Sequence, residues 1–338
     1  MSETLQVLPF GLGPIGAALT RECLRRGYEV VGGVDADPAK IDRDVAEVTG
    51  VDEALGVRVA PDIQSIVEKG DVDVVLHAAT SYIWEAHPQL AAAFQVGANV
   101  VSTCEELAYP WRSHRHFAQE IDQAAKWAEV SALGTGVNPG FVMDTLLIAL
   151  ASVCREVTHV AAQRVLDASR RRLSLRQKIG IGLRPKEFAE QAKEGKIGHV
   201  GMYESVDMIG TAFGWNLRDV TSEVEPVVAE EPRETPEGRV ASGRVAGIRQ
   251  VGRGVGREGE LIRLELEMSW GAPNPEDFVS IDGRPGVALR IPGGLPGDEA
   301  TIAAVVNAIP RVVDAEPGLK TMLDLPLPRY VEPGPPEP

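Results

Sequence analysis

The 338-residue sequence has few cysteines, fewer basic than acidic residues, and no long apolar run. Its three cysteines, Cys23, Cys104 and Cys154, lie far apart, which argues against both a disulfide framework and a zinc knuckle. The 34 basic and 49 acidic residues leave a net charge of −15, which disfavours nucleic acid as a partner because binding to its backbone depends on cationic contacts. No stretch reaches membrane-spanning length and no secretory signal opens the chain, so we expect a cytoplasmic protein with no membrane partner.

Histidine is also scarce, with six residues in the chain. His114 and His116 alternate near the start of a predicted helix, without a third ligand at the spacing that a zinc site requires. We therefore expect no metal.

The most informative stretch is a glycine-rich turn near the N-terminus, Gly-Leu-Gly-Pro-Ile-Gly. It follows a strand-like run and precedes a predicted helix at 15–26, a context that is typical of dinucleotide binding. Gly11 would permit the tight turn, Gly13 the approach of a pyrophosphate, and Gly16 the close packing of helix on strand. The predicted cofactor contacts in this turn are Gly11, Gly13, Pro14, Ile15 and Gly16.

An acidic residue at the end of the second predicted strand bears on which dinucleotide binds. Asp35 follows the strand 29–34, where a carboxylate binds the adenosine ribose 2′-hydroxyl and repels a 2′-phosphate. Lys40 and the loop after Asp37 would offset that repulsion. NAD and NADP both stay open, and we predict NAD use with NADP tolerated.

Strands and helices alternate as far as the glycine-rich turn at 134–140, which predicts a Rossmann-type α/β fold with a doubly wound parallel sheet. Beyond that turn, the runs 239–251 and 259–269 alternate branched apolar with polar residues, which suits a mixed or antiparallel sheet with one solvated face. We predict a dinucleotide-binding domain at 1–138 completed by 298–330, a second α+β domain at 139–297, and a proline-rich, disordered tail at 331–338.

Ligands bind beyond the carboxyl ends of the strands in an open parallel sheet, so residues after each predicted strand are candidate site residues. The strand 72–78 is followed by Ala79, Thr80 and Ser81, which suit contacts with the ribose and nicotinamide, although an ordinary strand-end turn is the alternative. In the turn 134–140, the amide of Asn138 suits contact with a carboxamide, and the same turn suits a hinge.

Two adjacent carboxylates, Glu105 and Glu106, follow the predicted strand 99–102 in an apolar setting. Mutual repulsion and lost hydration predict a raised pKa for at least one of them, which suits a general base. Adjacent residues on an extended chain point in opposite directions, so we favour Glu105 as the catalytic residue and keep Glu106 as second choice. The alternative is a solvent-facing carboxylate pair at a helix start.

Three further residues are predicted to line the substrate pocket. Cys104 precedes the carboxylates, and we prefer it as pocket lining to a nucleophile because no histidine is placed to activate it. Arg164 belongs to a polar stretch associated with a strand of the second domain, and His199 lies in a glycine-rich bend. A structural role is the alternative for His199.

The motifs at 11–16, 30–38, 100–110, 134–144 and 198–205 resemble those of the 2,4-diaminopentanoate dehydrogenases and the related native amine dehydrogenases. The most specific of them is Val-Val-Ser-Thr-Cys-Glu-Glu-Leu-Ala-Tyr-Pro, and the resemblance covers most of the chain. It implies a Rossmann domain, an α+β domain for substrate binding and dimerisation, and NAD(P)-dependent interconversion of an amine with a ketone or aldehyde and ammonia by a homodimer. In that family one glutamate at this strand end holds the ammonia or amine, which matches Glu105 or Glu106.

Two other functions are compatible with the first domain. It also resembles dihydrodipicolinate reductase, but the histidine pair, lysine and Asp-Ala-Pro-Ser-Gly-Thr segment of that enzyme are replaced here by Asp-Ala-Ser-Arg-Arg-Arg at 167–172. A non-catalytic NAD(P)-sensing protein is the alternative from another class, and the glutamate pair argues against it.

Overall fold

The computed structural model describes residues 4–171 and 173–331. They form two compact units: unit 1 contains the chain up to Phe141 and from Gly297 onward, and unit 2 is Val142–Pro296. Of the tail that is predicted to be disordered, only Val331 is described; the rest of it, like Arg172, lies outside the described residues. Within those ranges, no helix is long and apolar enough to cross a membrane.

The N-terminal part of unit 1 alternates short strands with helices. They are β1 (Gln6–Phe10), α1 (Pro14–Arg25), β2 (Glu29–Val30), β3 (Gly33–Val34), α2 (Val45–Thr49), β4 (Val59–Ala60), β5 (Val74–His77), α3 (Ile83–Gln95), β6 (Asn99–Ser102), α4 (Arg115–Trp127) and β7 (Ser131–Gly134). Every residue of β5 and β7 is buried, as expected for strands covered on both faces.

Unit 2 contains a mixed sheet and four helices within the described residues. Its elements are α5 (Thr145–Ala151), β8 (Glu156–Asp167), α6 (Leu173–Lys178), α7 (Pro185–Lys193), α8 (Met202–Ala212), β9 (Asp219–Val228), β10 (Arg233–Thr235), β11 (Gly238–Val240), β12 (Val245–Val255), β13 (Glu260–Ser269), β14 (Glu276–Arg284) and β15 (Val287–Pro292). The strand order is β15-β14-β8-β13-β12-β9. Only the β8–β13 pair in this order is parallel, and β10 and β11 form a separate hairpin.

The chain then returns to unit 1 as α9 (Gly297–Val313) and β16 (Gly318–Lys320). The strand order there is β16-β7-β6-β5-β1-β3-β4, with β2 beside β1, and the pairs are parallel. Helix α9 packs against α1, β6 and β7. The two sheets confirm the predicted α/β class, a Rossmann-type parallel sheet plus an α+β unit with a mixed sheet.

The strand register brings the candidate site residues of unit 1 together. Phe10 of β1 pairs with His77 of β5, His77 with Ser102 of β6, and Ser102 with Gly134 of β7. These four residues are the last of their strands. The turns that follow them therefore lie side by side at one edge of the sheet.

Some predicted elements differ from the structure. The predicted strand 29–34 is divided into β2 and β3, each of which pairs with β1. The spacing of apolar residues at 63–69 predicts a helix, but only Ile63–Ser65 forms a helical turn, of the 3₁₀ type. Ile63 and Val67 belong to the hydrophobic core, so their helical spacing reflects burial rather than a helix. The predicted strand 239–251 is interrupted between β11 and β12, where Gly243 adopts a φ of 75° and donates its N–H to Ala229.

Candidate functional site

The turn between β1 and α1 requires glycine at two of its three motif positions. Gly11 has a φ of +90°, and a Cβ there would lie 2.8 Å from the carbonyl carbon of Ala78. A Cβ on Gly16 would overlap the carbonyl oxygen of Gly11 and lie 2.9 Å from its carbon. Both positions therefore exclude any side chain, the first by backbone conformation and close approach and the second by helix-to-turn packing.

Gly13 differs from those two because a Cβ built on it meets nothing within 4 Å. It is the N-cap of α1, it makes no side-chain capping bond, and Pro14 follows as the first helical residue. The start of α1, where Ile15 and Gly16 follow Pro14, thus has open space at the Cβ position of Gly13 and makes no side-chain capping hydrogen bond. This arrangement suits a bound phosphate group, since the positive end of the helix dipole lies there.

Asp35 follows β3 and is joined to the glycine-rich turn. Its Oδ2 accepts a hydrogen bond from the N–H of Leu12 at 2.7 Å and pairs with Lys40 Nζ at 2.8 Å, while Oδ1 accepts from the N–H of Asp37 at 2.9 Å. Partial burial opposes ionisation, but Lys40 and the two N–H donors outweigh it and lower the pKa of Asp35. A carboxylate and a cation therefore occupy the position where the adenosine ribose binds in this fold.

The residues after β5 form a short turn that leads into α3. Ala79 is exposed and Thr80 and Ser81 are half-buried. The Thr80 hydroxyl donates to the Glu85 carboxylate and accepts the N–H of Tyr82, the latter at 3.1 Å. The Ser81 carbonyl accepts the N–H of Glu106 at 3.3 Å, which joins this turn to the one that follows β6.

Glu105 and Glu106 do not lie on extended chain, so the predicted alternation of their side chains is wrong. They begin a 3₁₀ turn, Glu105–Leu107, with Cys104 as its N-cap. The Oε2 of Glu106 accepts the N–H of Ile83 at 2.8 Å, at the start of α3, and its Oε1 lies 3.7 Å from His114 Nε2. Glu106 therefore caps a helix, a role that the sequence-based interpretation missed.

Glu105 is the first residue of that 3₁₀ turn and is half-buried. Its charge acts on Tyr82: burial raises the pKa of that phenol, and the negative charges of Glu106, Glu105 and Glu85 raise it further. Tyr82 consequently stays a hydroxyl near neutral pH. The turns after β5 and β6 thus form an acidic cluster with a phenol donor, at the same sheet edge as the glycine-rich turn.

A buried hydrogen-bond chain beneath this cluster was not anticipated. His77 Nε2 lies 2.6 Å from Gln89 Oε1, His77 Nδ1 lies 2.7 Å from Ser102 Oγ, and Ser102 Oγ accepts the N–H of Cys104 at 3.0 Å. Burial lowers the pKa of His77 to about 4. The imidazole is therefore neutral, donating to Gln89 and accepting from Ser102, and the chain fixes the backbone just before Glu105.

The remaining unit 1 candidates are placed differently. Asn138 is half-buried in the turn after β7, and the N–H of the preceding Val137 donates to Thr301 Oγ1 at 3.2 Å. Cys104 was predicted to line the substrate pocket, but it has 0% exposure and belongs to the hydrophobic core, because its Sγ packs inward at the N-cap position. Burial raises the pKa of its thiol. Among the described residues, no group of three potential ligands is placed to hold a metal ion.

In unit 2, Arg164 is buried, whereas His199 is half-buried with its ring Nδ1 covered. Arg164 Nε lies 3.4 Å from Asp277 Oδ1, and its Nη2 donates to the Leu295 carbonyl at 2.5 Å. Burial, with the positive charges of Lys178 and Arg164 nearby, lowers the pKa of His199 to about 3. The structure therefore brings these two predicted residues close enough to interact electrostatically.

Comparison with known proteins identifies the family. Residues 141–334 match the 2,4-diaminopentanoate dehydrogenase C-terminal domain. The chain is 35% identical to 2,4-diaminopentanoate dehydrogenase from Acetoanaerobium sticklandii, over 97% of this chain and 95% of that protein. It is 27% identical to an amine dehydrogenase from Streptomyces virginiae, over 86% of this chain and 87% of the relative.

A solved structure shows the same fold. The amine dehydrogenase from Mycobacterium smegmatis matches with a TM-score of 0.86 at 24% identity, over 98% of both chains. These findings confirm the resemblance that the sequence motifs indicate. The chain belongs to the 2,4-diaminopentanoate dehydrogenase family.

Proposed function

We propose that the protein is an NAD(P)-dependent amine dehydrogenase, an oxidoreductase acting on CH–NH₂ groups. It converts an amine, water and NAD(P)⁺ to a carbonyl compound, ammonium and NAD(P)H, and runs in reverse as reductive amination. The observation that supports this most is the 3₁₀ turn of Glu105 and Glu106, which the register of β1, β5 and β6 holds at the same sheet edge as the glycine-rich turn.

The residues of unit 1 fit a dinucleotide. Gly11 and Gly16 keep the turn tight, and the open space at Gly13 leaves the start of α1 accessible to a pyrophosphate. Asp35 would bind the ribose hydroxyls of NAD, and Lys40 would pair with the 2′-phosphate of NADP, so both remain cofactors in this proposal. Ala79, Thr80, Ser81 and Asn138 would contact the nicotinamide half. When bound, the nicotinamide accepts or supplies the hydride.

Glu105 is proposed as the acid–base residue. In the oxidative direction its carboxylate takes a proton from the substrate ammonium group, which leaves the free amine that can lose hydride and become an iminium. The carboxyl group then passes that proton to solvent. As a carboxylate again, it removes a proton from water as the water adds to the iminium carbon and gives this proton to the nitrogen. It then takes the proton of the carbinolamine hydroxyl as the C–N bond breaks, so that the carbonyl forms and ammonia leaves. Reductive amination uses these proton transfers in reverse, with Glu105 orienting ammonia.

Glu106 and the buried hydrogen bonds of His77 contribute to this reaction by holding the turn that carries Glu105 in position. Glu106 caps α3, while Ser102 fixes the N–H of Cys104 directly before Glu105. We further propose that unit 2 supplies the substrate contacts and the interface of a homodimer, as the family resemblance implies. A reducing, cytoplasmic compartment fits the free Cys23 and Cys154.

Two substitutions that differ by one position test the proposal. Glu105→Gln removes the proton acceptor and should lower kcat by about 10² to 10⁴, the usual contribution of a general acid–base group. Glu106→Gln keeps an amide oxygen that can still accept the N–H of Ile83, so its kcat should stay close to that of the wild type. Both variants should bind NADH normally, as measured by fluorescence titration.

The assay is NAD(P)H formation with a panel of amines and diamines. A dead Glu106→Gln beside an active Glu105→Gln would move the base by one residue and leave the reaction class standing. Normal turnover in both variants would remove the acid–base role from this turn. Cofactor binding without turnover of any amine would favour the sensor alternative, and activity with another small substrate would favour a reductase.

A further inference from the structure

The turn between β5 and α3 brings a tyrosine to the sheet edge that carries the proposed base. Tyr82 is the N-cap residue of α3, with extended φ and ψ angles of −109° and 130°. Its own side chain makes no capping hydrogen bond, and the Glu106 carboxylate fills that role by accepting the N–H of Ile83. Tyr82 is half-buried, and capping does not account for its phenol.

Three hydrogen bonds fix the backbone around Tyr82. Its own N–H donates to Thr80 Oγ1 at 3.1 Å. The carbonyl of the preceding Ser81 accepts the N–H of Glu106 at 3.3 Å, and the N–H of the following Ile83 donates to Glu106 Oε2 at 2.8 Å. Tyr82 therefore lies between two hydrogen bonds to Glu106, which hold it beside the turn that carries Glu105.

The phenol of Tyr82 also lies in a negative field. Burial raises its pKa, and the charges of Glu106, Glu105 and Glu85 raise it further. The same cluster contains His114, whose Nε2 lies 3.7 Å from Glu106 Oε1. The phenol therefore keeps its proton to higher pH than an ordinary tyrosine does. It remains a hydrogen-bond donor in the alkaline range, where more of an amine is unprotonated.

The proposed reaction needs such a donor at the substrate oxygen. When ammonia adds to a carbonyl carbon, electron density moves from the C=O bond onto oxygen, and a fixed donor at that oxygen lowers the barrier. Glu105 carries the protons, so the donor must be a second group that keeps its own proton. The Thr80 hydroxyl, in the same turn, already donates to Glu85. The Tyr82 hydroxyl has the properties that this role requires.

We propose that the Tyr82 hydroxyl donates a hydrogen bond to the carbonyl oxygen of the substrate and is a second catalytic residue beside Glu105. This inference rests on the proposed amine dehydrogenase function and adds a residue to its site. In the oxidative direction water adds to the iminium carbon, and Tyr82 holds the water oxygen while Glu105 moves the protons. No bond of the phenol breaks. The hydrogen bond strengthens as charge develops on oxygen, so Tyr82 acts on kcat rather than on cofactor binding.

Tyr82→Phe is the direct test, because it removes one oxygen atom and keeps the ring. Losing one donor to a developing oxyanion should lower kcat by about 10² to 10³, with NADH affinity unchanged in fluorescence titration. Tyr330→Phe is the matched control and should keep the wild-type kcat, since Tyr330 is 55% exposed and stacks on Arg26 at the C-terminal end of α1. Wild-type kcat in Tyr82→Phe would overturn the proposal.

The pH profile separates catalysis from a structural effect. The wild-type kcat should fall at alkaline pH as the phenol ionises, and Tyr82→Phe should lack this fall. Glu106→Gln removes one of the charges that raise the pKa of Tyr82, so the fall should move to lower pH. An alkaline fall that persists in Tyr82→Phe, or that does not move in Glu106→Gln, would contradict the donor role.

The ultraviolet absorbance of tyrosinate tests the position of the phenol without any substrate. Subtracting the titration of Tyr82→Phe from that of the wild type isolates the ionisation of Tyr82. The same subtraction in the Glu105→Gln protein should give a lower pKa, because one negative charge is gone. An equal pKa in both would place the phenol away from the base and overturn the proposal, whether or not an amine is oxidised.

Turnover separates this inference from the function on which it depends. Equal oxidation of an amine by the wild type and by Tyr82→Phe leaves the amine dehydrogenase proposal standing and refutes the oxygen donor. A wild type that oxidises no amine refutes the function itself, whatever the titration of Tyr82 shows.

Discussion

Gly13 and Gly16 lie three residues apart, yet the structure predicts opposite consequences for adding one methyl group to each. A Cβ on Gly13 meets nothing within 4 Å, and its φ of −71° and ψ of −173° are ordinary for alanine. A Cβ on Gly16 overlaps the Gly11 carbonyl oxygen and lies 2.9 Å from its carbon. Relieving that overlap requires α1 or the turn to move.

The expected magnitudes follow from these contacts. Overpacking of a core costs about 1–3 kcal/mol, and backbone is the least compliant neighbour, so we expect Gly16→Ala to lose about 3 kcal/mol of unfolding free energy. In a unit of this size that loss lowers Tm by roughly 6–12 °C. Gly13→Ala should cost under about 1 kcal/mol, since alanine is a poorer N-cap than glycine.

Cofactor affinity should respond differently from stability. The methyl group of Gly13→Ala would occupy the open space in front of α1 that we assign to the pyrophosphate, so NADH binding should weaken. Losing one charge-assisted hydrogen bond of about 1.5–3 kcal/mol corresponds to about tenfold or more in Kd. Gly13→Ala is therefore expected to be stable and deficient in binding.

The assays are thermal unfolding without cofactor and fluorescence titration with NADH. A Gly13→Ala protein with wild-type affinity would refute the placement of the pyrophosphate over this residue. A Gly16→Ala protein with wild-type Tm would refute the close packing of α1 against the turn. Gly27→Ala is not a useful control, because the φ of 82° at Gly27 strains any side chain.

Three further predictions concern unit 1. Asp35→Ala should raise the ratio of kcat/KM with NADP to kcat/KM with NAD. The substitution removes a carboxylate that repels a 2′-phosphate, and it releases Lys40 from its ion pair with Asp35. An unchanged ratio would argue against a role for Asp35 in cofactor selection. Ser102→Ala removes the hydroxyl that accepts the Cys104 N–H and should lower kcat about tenfold with NADH affinity unchanged, while Ser102→Thr keeps a hydroxyl and should restore kcat. An equal loss of kcat in the two variants would indicate a purely structural effect. Burial lowers the pKa of His77 to about 4 from an ordinary 6.5. The neutral imidazole therefore contributes fully to the stability of the folded state above pH 6.5, and this contribution is lost as the pH falls through 4. The lost free energy of unfolding is about 3 kcal/mol. In His77→Gln, the free energy of unfolding measured by denaturant titration should change less between pH 6.5 and pH 4 than in the wild type. The same pH dependence in both proteins would contradict this role of His77.

The parallel sheet was predictable because its strands are short, apolar runs followed by turns. Its boundaries at β6 agree with the prediction residue for residue, 99–102. The segment 63–69 shows the limit of periodicity. Ile63 begins a 3₁₀ turn that Asp62 caps through the N–H of Ser65, Val67 follows that turn, and both apolar side chains pack into the core. Apolar spacing reports which residues are buried, and a short segment can bury them without a helix.

Strand β14 was missed for a chemical reason. Along Glu276–Arg284 the inward positions alternate, and Val279 and Ile281 follow the expected pattern. The inward position before them is Asp277, which is 1% exposed and paired with Arg164. A buried charge interrupts the alternation that identifies a strand, and its partner lies on β8, more than a hundred residues earlier in the chain. Sequence pattern alone does not reveal such a pair.

The choice between Glu105 and Glu106 shows the same limit at the scale of one turn. The sequence located both carboxylates at a strand end, and that placement was sufficient to identify the turn. The argument for preferring Glu105 assumed extended chain, whereas the residues form a 3₁₀ turn in which alternation does not apply. Glu106 is engaged by the N–H of Ile83 and lies near His114, which gives it a capping role, and the choice of Glu105 as the base stays a prediction. Those partners come from α3 and from the residue before α4, so the assignment of a base within this pair depends on tertiary contacts that no local pattern contains.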